Sequence, residues 1–138
     1  FTMQGKSIAG NAWLWTDETN VPAIGQKYAC WGGGDDCGIA VTVHGSGFPS
    51  NSAVNCWFTR PDGVVLYGLV PGANSDDSHA AFKTDGSGGF SGLVTSWTSD
   101  IGYQGEQPGT WHVSCGTPDQ KYSGAASFNV YSLPFMDP

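Results

Sequence analysis

Basic residues are scarce in this sequence. Lys6, Lys27, Arg60, Lys83 and Lys121 stand against 12 acidic residues, giving a net charge of −7, and the five are scattered rather than clustered. A phosphate backbone would find nothing to hold, which argues against nucleic acid as a partner. Charge of either sign is low, 12% of residues against the roughly 25% of an ordinary soluble domain. No run of about 18 apolar residues is present, so membrane insertion through a helix is not expected. Apolar residues nowhere recur at the 3.6-residue period, and no helix of real length is expected either. The chain opens at Phe1 with no charged and apolar leader, as expected of a mature chain whose export signal has been removed, or of a trimmed one.

The usual signatures of chemistry are also missing. Thiolate zinc sites favour cysteines about two to four residues apart with a second pair or histidines close by. Cys30 and Cys37 are spaced more widely, with no histidine near them in sequence. A redox centre would favour Cys-x-x-Cys, which does not occur. The acidic pairs Asp35-Asp36 and Asp76-Asp77 lack the regular spacing of a calcium loop and read as solvated turns. No G-x-S-x-G elbow accompanies His44, His79 or His112. Nothing in the sequence places two carboxylates in one cleft for glycoside hydrolysis. The expectation is a protein that is not an enzyme and needs neither metal nor cofactor.

What the sequence does hold is 21 Gly, 8 Pro and 13% aromatic residues, the composition of short strands joined by tight turns. In "GIAVTVHGSGF" Ile39, Val41 and Val43 alternate with Ala40, Thr42 and His44, which predicts a half-buried strand. "SAVNCWFTRPDG" places Val54, Cys56 and Phe58 on one face and Ala53, Asn55 and Trp57 on the other. Pro61-Asp62-Gly63 then supplies turn chemistry leading to a hairpin partner in "VVLYGL". "HAAFKTDGSGGFSGLVTSW" reads as strand, glycine turn, strand, and "PGTWHVSCG" turns Trp111, Val113 and Cys115 inward. "GAASFNVY" ends the series with Ala126, Phe128 and Val130 inward. About seven short strands at even spacing predict an all-β fold, an antiparallel sandwich or small barrel.

Four cysteines in a sequence rich in Gly, Ser and Thr suggest an oxidising, extracellular or cell-surface location. Cys56 and Cys115 share the inward faces of their strands, so a core disulfide between them is expected. It would close a loop of about 60 residues, worth roughly 4 kcal/mol by chain entropy. Cys30 and Cys37 are then each other's natural partners, pinning the loop "CWGGGDDCG", although sequence alone leaves all three pairings open. The strands fall within residues 39–131. Residues 1–38 form an N-terminal β-competent extension that contains the cysteine loop, and 132–138 form a short apolar tail.

The ordered set "VHGSGFPSNSAV", "TRPDG", "TDGSGGFSG", "PGTWHVSC" and "FNV" resembles the Ig-like β-sandwich modules of bacterial and archaeal cell-surface proteins. The resemblance covers about 90 residues and implies an Ig-like sandwich. In function it implies only a range of roles: spacer, adhesin, glycan binder or fibre subunit. The chain departs from antibody-like domains, because Trp57 directly follows Cys56 and is expected to face outward. It departs equally from neocarzinostatin-type chromoproteins, whose two disulfides are both local.

Two functions follow as expectations. An open-edged sandwich with a β-competent terminal segment can lend that segment to a neighbour or fold it back as an extra strand of its own domain; lent out, it makes the chain a homo-oligomer or polymer, a self-assembling surface fibre subunit or adhesive module. The alternative is a carbohydrate-binding module. Of the six Trp, Trp111 reads as core, while Trp13, Trp15, Trp31 and Trp57 are the candidates for contact with a glycan or a neighbouring subunit.

Overall fold

The computed structural model describes residues 5–22, 39–67, 81–95 and 108–131. The Cys30–Cys37 pairing, Trp31 and the tail at 132–138 lie outside the described residues. The described chain is an all-β sandwich, and no helix among these residues is long and apolar enough to cross a membrane.

Residues 5–22 supply β1 (Gly5–Ala9), β2 (Trp13–Thr16) and β3 (Asn20–Pro22). The rest supplies β4 (Ala40–Ser46), β5 (Ala53–Thr59), β6 (Val65–Tyr67), β7 (Ala81–Lys83), β8 (Phe90–Thr95), β9 (Gly109–Gly116) and β10 (Ser123–Tyr131). One sheet runs β1-β10-β9-β5-β6, with β3 also on β10 and β7 also on β5; the other runs β2-β4-β8. All pairings are antiparallel except β3 with β10, which is parallel.

The alternation of apolar residues decides the inner faces. Leu14, Val41, Val43 and Val94 from the three-stranded sheet meet Val54, Phe58, Trp111, Val113, Phe128 and Val130 from the larger one in a single core. Phe58 sits at its centre, with its ring edge-to-face with Trp111 at 5.9 Å and with Phe128 at 6.0 Å. This is the arrangement that aromatic quadrupoles favour. Cys56 and Cys115 are direct cross-strand partners on β5 and β9, with Cα atoms 4.1 Å apart, and they form a disulfide. The bridge therefore lies within one sheet, with both sulfurs turned inward as their strand alternation requires.

Turn chemistry places the strands. Gly10 and Asn11 both adopt positive φ, and the Ala12 amide donates to the Ala9 carbonyl at 3.4 Å, folding β2 back from β1. The two arms then diverge, one into each sheet. Asp62 accepts the Val64 amide and the Arg60 guanidinium, closing the β5–β6 hairpin. The Asp85 carboxylate caps its turn by accepting from the Ser87 and Gly89 amides. That turn does not make a flat hairpin: β7 pairs with β5 and β8 with β4, so it carries the chain from one sheet to the other. Gly92 makes the crossing possible, because a Cβ there would stand 2.3 Å from the Phe82 ring. Phe82 can thus stack on Phe90 at 5.1 Å.

Candidate functional site

On β2 the sequence Trp-Leu-Trp-Thr alternates strictly. Leu14 and Thr16 are buried, while Trp13 and Trp15 stand on the outer face with relative exposures of 45% and 39%. Asp17 follows on the same alternation. β4 lies alongside, with Trp13 opposite Ser46 and Trp15 opposite His44. The Trp15 ring stacks on the His44 imidazole, with centroids 5.6 Å apart and planes 18° from parallel. Nε2 of His44 lies 2.8 Å from Oδ1 of Asp17. A carboxylate only accepts, so Nε2 carries the proton and donates it. The Asp17 side chain remains 60% exposed.

The backbone holds this arrangement in place. The Asp17 amide donates to the Thr42 carbonyl at 3.0 Å, and the Thr42 amide donates to Oε1 of Glu18 at 2.8 Å. The Thr16 hydroxyl donates to the Glu18 carbonyl at 2.6 Å. The end of β2 is therefore fixed on β4 past the last ladder pair, and Asp17 is set beneath the imidazole.

Two depressions flank Trp15. One of about 460 Å³ is lined by Gly5, Trp13, Trp15, Thr16, Asp17 and Ser46, with Leu14 at its base. The other, of about 430 Å³, runs from Trp15 and His44 across to Phe90, Ser91, Lys83 and Asp85. Both fall within the size range of small-molecule sites, and Trp15 lines both.

Trp57 does not join this face. It is half-buried on β5, in the other sheet, opposite Ser114. His44 and His112 do not meet either, because β4 and β9 belong to different sheets. Among the described residues no three His, Cys, Asp or Glu side chains gather at a metal-sized spacing. Sequence alone does not single out Asp17 or join it to His44. The signal was present, since Trp-x-Trp-x-Asp at period 2 puts all three residues on one face. Compared with known proteins, the chain matches no family model and no curated protein.

Proposed function

We propose that this chain is a non-enzymatic, extracellular structural protein with an Ig-like sandwich, and that its N-terminal strands join one copy to the next in a surface fibre. The Ig-like assignment is supported by the strand grouping: β2-β4-β8 against β6-β5-β9-β10 follows the A-B-E and C′-C-F-G sets of that fold. An extracellular setting is supported by the Cys56–Cys115 disulfide, a bond that persists in oxidising compartments.

The carrying observation is the way residues 5–22 complete the sandwich. β1 and β3 both lie on β10 of the same chain, β2 lies on its β4, and Ala12, Leu14 and Val21 enter the core with exposures of 0%, 0% and 2%. Without these strands, β10 and β4 would each present an open edge and the core would be uncovered. The segment is joined to β4 through residues 23–38, sixteen residues by subtraction of 22 from 38. The contacts require only β10 and β4, so the segment of a second copy satisfies them equally well. Exchange passed from copy to copy is head-to-tail and does not close, which is the geometry of a fibre.

Light scattering after size exclusion, with electron microscopy of the heaviest fraction, tests this reading. Linear polymers that lengthen with concentration are expected. A strict monomer at high concentration would refute it.

A further inference from the structure

We propose that the outer face of the three-stranded sheet, centred on Trp13, Trp15, Asp17 and His44, binds a neutral polysaccharide of pyranose rings. The inference goes beyond fibre assembly and does not rest on it, because β2 lies on β4 whichever copy supplies β2.

The chemistry of the face selects the ligand. A pyranose ring has two apolar faces of C–H bonds and a rim of hydroxyls, so it needs flat aromatic surface bordered by hydrogen-bonding groups. Trp13 and Trp15 offer two indoles on one strand, two residues apart and therefore about 7 Å apart along it. The Trp15 ring is backed by His44, which fixes its orientation. The border is polar: Ser46 beside Trp13, His44 and Asp17 beside Trp15, and Ser91 opposite His44 on β8. The Asp17 carboxylate spends one oxygen on His44 and stays well exposed, leaving acceptor capacity for a hydroxyl pair.

An apolar protein surface would be a poor occupant. Docking it would desolvate the Asp17 carboxylate and the Ser46 hydroxyl without replacing their hydrogen bonds. Hydroxyl groups replace them. Depressions on both sides of Trp15 offer room for more than one ring, which suits a chain better than a single sugar. Charge excludes polyanions: Asp17 stands at the platform, Lys83 in the second depression is matched by Asp85, and the whole chain carries −7.

Affinity electrophoresis of the full chain, with monomeric and assembled fractions run separately, tests the proposal. Native gels would contain hydroxyethylcellulose, xylan, galactomannan or laminarin as neutral probes and alginate as the anionic one. Retardation by at least one neutral polymer is expected, in both fractions, with none by alginate. Trp15→Ala and Trp13→Ala should each weaken it about tenfold or more, the factor that ~1.4 kcal/mol of lost contact produces. His112→Ala, on the opposite sheet, should leave it unchanged. Asp17→Asn keeps the side-chain shape and should also weaken binding, which carries the test should a tryptophan variant fail to fold. No retardation by any neutral polymer would overturn the proposal. So would retardation by alginate, or retardation indifferent to Trp13→Ala and Asp17→Asn. Failure of assembly alone would leave the monomer arm intact and count only against the fibre.

Discussion

Replacing both Cys56 and Cys115 by alanine perturbs the fold at a place where the magnitude can be worked out. The two residues are 59 apart in sequence and directly opposed on β5 and β9. Closing a loop of that length removes about 4 kcal/mol of conformational free energy from the unfolded chain. A domain of this size has roughly 5–15 kcal/mol in total, so the double variant should lose about a quarter or more of its stability yet still fold. With a urea m-value of about 2 kcal/mol/M, the midpoint should fall by about 2 M. Cys30 and Cys37 are the same in both proteins, so the difference isolates the one bridge. Both sulfurs are buried, Cys56 at 3% and Cys115 at 0% exposure. Thiol reagents should therefore reduce the native bond no faster than the chain unfolds. A midpoint shift below about 0.5 M would refute the loop-entropy reasoning. Rapid reduction of the folded protein would refute the burial argument.

Other outcomes follow from single contacts. Thr84 is buried at the end of β7, where its hydroxyl accepts the Ser52 amide at 2.8 Å and donates to the Pro49 carbonyl at 2.6 Å. Thr84→Val keeps the shape but leaves both backbone groups unpaired, so it should destabilise by ~1–3 kcal/mol in urea melts, with Thr84→Ser recovering most of the loss. The Asp62 carboxyl is held down to about 2 from its ordinary 3.8, chiefly by the Arg60 hydrogen bond and then by the Val64 amide. Asp85 is lowered by the Gly89 amide and the Ser87 side chain, and Asp119 by the Lys121 amide and the Thr117 hydroxyl. A carboxyl depressed in the folded state binds its proton first in the unfolded chain. Its stabilising contribution is thus complete above about pH 4 and lost as pH falls toward 2. Carboxyl titration by NMR should find Asp62 near 2; a midpoint near 3.8 would contradict the hydrogen-bonded turn.

How much of this was legible depends on what one-dimensional patterns encode. Period-2 alternation reports which side chains turn inward, and it correctly placed Val41, Val43, Val54, Phe58, Trp111, Val113, Phe128 and Val130 in the core. It also turned Cys56 and Cys115 inward, from which their pairing followed. Alternation cannot report which strand lies next to which. The turn at Asp85–Gly89 reads like a hairpin, yet β7 and β8 enter different sheets, because β5 shares one edge between β6 at residues 57–59 and β7 at residues 53–55. Ala125 alternates outward and is nevertheless buried. The same limit hid the site. Trp13 and Trp15 were visible as a pair on one face, but the stacking of Trp15 on His44 and the bond from His44 to Asp17 join residues 27 or more apart in sequence. Only the register of β2 on β4 brings them together.

The proposal that residues 5–22 complete the sandwich of a neighbouring copy is open to a cross-link placed across β2 and β4. Trp13 and Ser46 are opposed on the outer face of that pair, so the double variant Trp13→Cys, Ser46→Cys can bridge them without disturbing the core. Under mild oxidation, a non-reducing denaturing gel should show a ladder of covalently linked chains that collapses to monomer on reduction. A single monomer band, with the two cysteines linked within one chain, would contradict the account.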